Sequence, residues 1–198
     1  KEASHKILCS ILEFNSGVNW ITEQPVDAED LQWIDLKASG GTCLGAAYAQ
    51  LASKLSRKEG GVMAKHLNNA PIIILLTDGY PTDDSSAGLS LLKKNRWFMA
   101  AVKIAIEITG GDVERRQLID FTGTNELVIP IASDRLQKEL KNIVVASMTN
   151  STSAEDVVNA LIGGDNNDKP TQEQSHAQEP TVNSTPNSGS IDLDDFDF

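Results

Sequence analysis

This sequence of 198 residues has few cysteines, few aromatic residues and no long apolar run, and each shortage narrows the kinds of protein it encodes. The two cysteines, Cys9 and Cys43, form no C-x-x-C pair, which argues against a zinc or dithiol site and favours a reduced, cytoplasmic protein. The longest aliphatic run, Ile72 to Leu76, is far shorter than the roughly 20 residues that a membrane-spanning helix needs. We therefore expect no membrane partner.

Basic residues are also scarce, with 17 lysines and arginines against 28 acidic residues and a net charge of −11. From residue 151 onward there are ten acidic residues and one lysine, so this stretch carries −9 and residues 1–150 only −2. Neither part has the basic stripe that a phosphate backbone requires, which argues against nucleic acid as a partner. We expect the three tryptophans, Trp20, Trp33 and Trp97, to pack or to contact partners rather than to stack on nucleotides.

Apolar patterns in the first half of the chain predict a hairpin, a helix and a buried strand. The run "ILCSILEF" (residues 7–14) is apolar nearly throughout, and the turn "NSG" followed by "VNWI" predicts that it continues as an antiparallel hairpin. A helix is predicted within residues 42–58, behind two glycines, and a buried strand at residues 72–76, before a Thr-Asp-Gly turn. The apolar positions of that helix are Leu44, Ala47, Tyr48, Leu51 and Leu55.

The second half continues the alternation of helices and strands, which is typical of a parallel α/β sheet with helices on both faces. We therefore predict a three-layer, Rossmann-like α/β fold, mostly parallel, with the early hairpin as its antiparallel edge. Pro130 cannot donate a backbone hydrogen bond, so its strand is expected at or near a sheet edge. The predicted elements are a short helix at 85–95, weakened by Gly88, a strand at 98–108, a helix at 113–123, a strand at 126–131 and a helix at 133–148.

Composition divides the chain into three parts. Residues 1–150 hold the predicted domain. Residues 151–190 form an acidic, polar linker that has too little apolar surface to fold, and we expect it to be disordered. Residues 191–198 add isoleucine, leucine and two phenylalanines to an acidic cluster, which favours a short binding motif, although a purely solubilising extension is the alternative.

Two residues at predicted loop positions are candidates for a metal site. In open α/β sheets, ligands bind beyond the carboxyl ends of the strands, where Asp78 lies. Thr42 follows two glycines at the start of a predicted helix. A hydroxyl and a carboxylate are oxygen donors of the kind that Mg²⁺ prefers. The alternatives are a helix cap for Thr42 and a turn former for Asp78, and Asp83 and Asp84 are expected to cap the helix that follows them.

The segments "SGGTCLGAA" and "LLTDGYPTD" together resemble the second and third loops of a von Willebrand factor A (VWA) domain, and specifically of its TerY-like group, which is associated with tellurium resistance. The resemblance extends from about Ile7 to Thr149. It implies that Thr42 and Asp78 occupy the threonine and aspartate positions of the family's metal-ion-dependent adhesion site, which binds Mg²⁺.

The sequence departs from the family in one respect. The Asp-x-Ser-x-Ser motif that dominates the family's metal site does not occur before Thr42, and the chain begins at what resembles the second strand. The resemblance therefore implies an N-terminal truncation that removes the central first strand and the first helix, roughly 30 to 40 residues. With two ligands left, we expect weak or no Mg²⁺ binding by this chain.

The resemblance implies a cytoplasmic protein-binding module that is not an enzyme, whose partner supplies a carboxylate to the metal. The resemblance to TerY-like proteins also implies a kinase and a PP2C-like phosphatase as partners in a stress response. One alternative is a Mg²⁺-dependent, Rossmann-like phosphatase that uses Asp78, although Tyr80 stands where a second acid is expected. Another is a VWA subunit of a chelatase-type ATPase assembly, whose nucleotide chemistry would belong to a partner because no P-loop motif occurs here.

Overall fold

Three parallel strands form the centre of the fold in a computed structural model, which describes residues 7–32, 39–63 and 70–148. Strand β6 lies between β5 and β7, with Ile72 opposite Val102 on one side and Ala105 opposite Val128 on the other. Two small antiparallel sheets precede it in the chain. The strands are β1 Leu8–Cys9, β2 Leu12–Phe14, β3 Val18–Trp20, β4 Val26–Asp27, β5 Ile72–Thr77, β6 Val102–Thr109 and β7 Val128–Ala132.

Five α-helices accompany the strands in the described residues, and they pack on both faces of the parallel sheet. Alternate strand residues point to opposite faces, so each face builds its own apolar cluster. Leu75 and Ala105 contact α1, α2 and α4 on one face, whereas Ile104 and Ile106 pack with Ile143 of α5 on the other. The helices are α1 Leu44–Lys54, α2 Ser85–Leu92, α3 Arg96–Ala100, α4 Arg115–Thr122 and α5 Leu136–Met148.

The predicted mixed α/β architecture with layered helices is thus confirmed for the described residues, and several local predictions hold. Helix α1 begins and ends within the predicted range. Helix α4 ends at Gly123, which adopts a φ of 86° that favours glycine. Pro130 is exposed in β7, which in the described part of the chain pairs only with β6, so its predicted edge position is confirmed.

The predicted placement of the hairpin at the edge of the parallel sheet is wrong for the described residues. Strands β2 and β3 form the predicted hairpin, but they make a separate two-stranded sheet, and β1 pairs with β4 instead. The single strand expected at 7–14 is broken near Ile11, because the Ile11 N–H donates to Thr22 Oγ1 (2.8 Å) and the Ile11 carbonyl accepts from Ile21 (2.9 Å). The apolar run at residues 7–14 therefore supplies one strand to each of two small sheets, β1 to the sheet with β4 and β2 to the sheet with β3.

The strand predicted at residues 98–108 begins later than expected. Residues 96–100 form α3 instead, which starts at Asn95, whose side-chain Oδ1 accepts hydrogen bonds from the N–H groups of Trp97 (2.8 Å) and Phe98 (3.4 Å). Strand β6 follows after Ala101. The proposed parts at 151–190 and 191–198 lie outside the described residues.

Candidate functional site

The candidate site lies at the carboxyl end of β5, where two loops and a hairpin turn meet near the amino end of α1. Two of them carry the predicted residues: the glycine loop, residues 39–43, and the aspartate loop, residues 78–84. The hairpin turn before β3 is bonded to the glycine loop, because Gly41 N–H donates to Ser16 Oγ (2.8 Å) and Cys43 N–H donates to the carbonyl of Asn15 (2.8 Å). The topology thus gathers Thr42 and Asp78 at one end of the sheet.

Thr42 is fixed to the aspartate loop by a reciprocal pair of hydrogen bonds. Its N–H donates to Thr82 Oγ1 (3.0 Å), and the Thr82 N–H donates to the Thr42 carbonyl (2.9 Å). The Thr42 hydroxyl lies against Gly79, where an added Cβ would be only 2.7 Å from Thr42 Oγ1. The glycine at position 79 therefore makes room for this hydroxyl beside Asp78, and the two sequence-predicted residues are brought together.

Asp78 occupies an exposed position in a tightly packed turn. The hydrogen bond across the turn comes from Thr77, whose Oγ1 accepts from the N–H of Gly79 (3.3 Å). The Asp78 backbone also meets the loop after β6, since a Cβ added at Gly111 would lie 1.7 Å from the Asp78 carbonyl oxygen. The backbone of Asp78 is thus held from two sides while its carboxylate faces solvent.

The alternative reading of Thr42 as a helix cap is wrong. The cap position of α1 is Cys43, and it makes no side-chain cap hydrogen bond. Asp83 performs this role, because its two carboxylate oxygens accept from the N–H groups of Gly45 (2.8 Å) and Ala46 (2.8 Å). Asp83 was expected to cap the following helix, and it caps α1 instead.

Asp84 does cap α2 as predicted, through the N–H of Ala87 (2.9 Å). The aspartate loop therefore holds the amino ends of two helices with two consecutive carboxylates. This arrangement fixes α1 and α2 relative to β5, and it fixes the position of Thr42 as a consequence.

A series of interacting polar side chains borders the site on the side of α4. The negative charge of the nearby Glu114 carboxylate raises the pKa of Tyr80 above its usual value. Gln117 donates to Glu114 and accepts from Ser85 Oγ (2.6 Å), the first residue of α2. With Asp78 and Asp112 exposed nearby in the chain, this end of the sheet is acidic.

The donor chemistry of Thr42 and Asp78 fits a magnesium ion. The Thr42 hydroxyl lies against Gly79, the residue that follows Asp78. A hydroxyl and a carboxylate are oxygen ligands of the kind that Mg²⁺ binds, and water completes many such shells. Within the described residues, no group of three or more histidine, cysteine, aspartate or glutamate side chains is placed to hold a metal ion.

Sequence reasoning did not find Thr82, Asp83 and Gly111 as parts of this site. Each acts across a separation of more than 30 residues, in contact with Thr42, Gly45 and Asp78 respectively. The one available signal was the run "TDD" after the turn, which supplies more polar side chains than the cap of a single helix requires.

Comparison with known proteins finds solved structures of similar fold but does not assign the chain to a family. No family model matches the sequence, and no curated protein matches it significantly. A structure of proximal thread matrix protein 1 from the mussel byssus (crystal form 2) matches with a TM-score of 0.50 and 21% identity, covering 67% of this chain and 35% of the mussel chain. Another structure of that protein matches with a TM-score of 0.49 and 19% identity, covering 77% of this chain and 34% of the mussel chain. The chain thus spans about a third of the mussel protein, and at this identity the first match shows the fold alone.

Among the described helices, none has the length and apolar character needed to cross a membrane.

Proposed function

We propose that this chain is a VWA-type protein-binding module of the TerY-like group, without catalytic activity of its own. Its adhesion site would be incomplete, and it would recognise a partner protein through Mg²⁺. We place it in the cytoplasm, in a stress-response or tellurium-resistance system with a kinase and a PP2C-like phosphatase as partners. The parallel α/β sheet of the described residues, with helices on both of its faces, is consistent with this assignment.

The contact of the Thr42 hydroxyl with Gly79 is the observation that carries the proposal. The two sequence-predicted ligands lie on different loops, yet the fold sets one beside the other at the carboxyl end of β5. The hydrogen bonds that the Thr42 backbone makes with Thr82 hold that arrangement without using the Thr42 hydroxyl. Both oxygen donors can therefore serve a ligand.

Thr42 and Asp78 would hold Mg²⁺, which when bound supplies an open coordination position for a carboxylate of the partner. The protein's own contribution is positional. Asp83 fixes the start of α1, Thr82 fixes the glycine loop, and Gly79 and Gly111 let three loops approach closely. The proposal needs no nucleophile and no proton transfer.

The first test uses Mn²⁺ as a paramagnetic probe, because broadening of amide signals detects weak binding. We expect Mn²⁺ to broaden the amide signals of Thr42, Asp78 and Gly79 first, and Mg²⁺ in excess to reverse the effect. Thr42→Val and Asp78→Asn should each abolish this broadening, whereas Asp112→Asn, which removes an exposed charge at the same end of the sheet, should leave it unchanged. Broadening elsewhere, or broadening that survives both variants, would contradict the metal site.

A second arm tests the partner chemistry with acetate as a simple carboxylate. Acetate should shift the same amide signals when Mg²⁺ is present and not when it is replaced by chelator. If the chain instead hydrolyses p-nitrophenyl phosphate with Mg²⁺, and Asp78→Asn stops the turnover, the phosphatase alternative is correct and the binding module is not.

A further inference from the structure

We propose that a basic groove at the opposite end of the sheet binds an acidic peptide segment of a partner protein, independently of the metal site. The groove has a volume of about 440 Å³ and lies where α1 ends and α3 begins. Arg57, Lys58 and Arg96 line it, together with Trp97, and Leu55 is part of its wall. We refer to it as the Trp97 groove.

Asn95 fixes the two walls of the Trp97 groove to each other. Its side-chain Nδ2 donates to the carbonyls of Ala52 and Leu55, both at 3.0 Å, at the carboxyl end of α1. Its Oδ1 accepts from the N–H of Trp97 (2.8 Å) at the start of α3. Because one side chain joins both elements, the shape of the groove is set before any ligand arrives.

The ring of Trp97 organises the cationic groups. The guanidinium carbons of Arg57 and Arg96 lie 4.8 Å and 5.4 Å from the ring centroid, within the range of cation–π attraction. The ring itself is half-buried against the apolar cluster that contains Leu55. The Arg96 side chain is thus ordered over a rigid ring, which lowers the entropy it loses when it binds a planar anion such as a carboxylate.

Charge complementarity selects the occupant. The exposed cationic side chains of Lys58 and Arg96 line the groove, and no acidic side chain is among its described lining residues, although the chain as a whole carries −11. Carboxylates are the anions that guanidinium groups bind with two parallel hydrogen bonds, and the half-buried Trp97 ring offers apolar contact beside them. A short peptide that alternates acidic and apolar residues presents both chemistries.

Nucleic acid fits this groove less well than an acidic peptide. Single strands are held by aromatic faces on which bases stack, and here the Trp97 ring is engaged by guanidinium groups and by the core. The negative net charge of the chain also repels a long polyanion more than a short peptide.

The test measures fluorescence anisotropy of a labelled nonapeptide, SIDLDDFDF, the sequence of residues 190–198, which has the required alternation. Two forms of the full chain are titrated: the natural one, and one in which the four aspartates at 192, 194, 195 and 197 are replaced by asparagine so that they cannot compete. We expect saturable binding by at least the second form. The double variant K58E/R96E should weaken it by about tenfold or more, since both substituted side chains are exposed and line the groove.

The matched control is K138E/K141E, which makes the same change of net charge at exposed positions on α5, on the other face of the sheet. It should change the dissociation constant by less than about twofold at 0.15 M salt. Three results would overturn the proposal: no saturable binding by either form, equal weakening by both double variants, or tighter binding of a single-stranded oligonucleotide that K58E/R96E abolishes.

Discussion

At the residue scale, Tyr48 carries a buried hydroxyl that has no hydrogen-bond partner among the described residues. The side chain is 3% exposed and stacks on Phe121 with ring centroids 5.6 Å apart. Its hydroxyl makes no hydrogen bond in the described part of the chain. Burial of an unsatisfied hydroxyl costs about 1–3 kcal/mol, so this group opposes folding while the ring supports it.

We predict that Tyr48→Phe raises the free energy of unfolding by about 1 kcal/mol at pH 7, because it removes the unsatisfied group and keeps the ring. Burial, aided by the charge of Asp120, raises the pKa of Tyr48 above its usual value of 10.0. The folded state therefore disfavours the phenolate, and the stability of the natural chain falls as pH rises above about 10, where the unfolded state ionises. The advantage of Tyr48→Phe should thus grow between pH 7 and 10.5.

Urea unfolding at both pH values measures these differences. Tyr80→Phe is the control, because Tyr80 is 52% exposed and its replacement should leave the unfolding midpoint at pH 7 nearly unchanged. A Tyr48→Phe variant that is less stable than the natural chain would mean that the hydroxyl has a partner after all.

At the element scale, the packing of α1 on α2 depends on two glycines that bring the helix backbones together. A Cβ added at Gly88 would lie 2.2 Å from the carbonyl oxygen of Gly45, and one added at Gly45 would lie 2.4 Å from the carbonyl oxygen of Asp84. Both contacts are with backbone atoms, which cannot move aside as a flexible side chain can. Gly88, which lowers the helix propensity of α2, is therefore required for the close approach of α1.

We predict that Gly88→Ala destabilises the chain by about 1–2 kcal/mol. Alanine gains about 1 kcal/mol over glycine in helix propensity, but overpacking of a close contact costs typically 1–3 kcal/mol, and here backbone must move. Thermal or urea unfolding measures the net effect, with Ser90→Ala on the exposed face of the same helix as the control, expected to be neutral or slightly stabilising. A more stable Gly88→Ala variant would show that α1 and α2 are not in this contact.

The same elements show how far sequence reasoning reaches. Local signals sufficed where one element's own residues decide its form: the helical spacing of α1, the aliphatic run of β5, and Pro130 at a sheet edge. They failed for α3, because its apolar residues run directly into β6 and only the cap at Asn95 marks the boundary.

For the candidate site, sequence reasoning predicted the residue types and not the network that holds them. Thr42 and Asp78 were found because each follows a recognisable local pattern at a loop. Asp83 was assigned to the helix that follows it, because a cap across 38 residues leaves no trace in the local sequence. Contacts of this kind depend on how the loops meet in three dimensions.

At the scale of the whole molecule, strand β5 lies at one edge of the described parallel sheet, although its residues are almost all aliphatic. In the residues that the structure describes, β5 pairs with β6 along all six positions and has no second neighbour, although "IIILLT" is the kind of sequence that is flanked by strands on both sides. Exposed apolar edges of this kind attract further strands. The proposed VWA fold has its first strand at this position.

Hydrogen exchange of backbone amides distinguishes an open β5 edge from a covered one. In a strand with one neighbour, alternate amides point toward that neighbour and alternate amides point away, so we predict protection at every second residue of β5 and uniform protection along β6, which is flanked by β5 and β7. Strand β7, the other edge, is an internal control and should alternate like β5. Uniform protection of β5 together with alternation in β7 would mean that another strand covers this edge, as the VWA proposal requires of a complete domain. Rapid exchange throughout β5 would contradict the described pairing itself, because even an open edge keeps the hydrogen bonds that face β6.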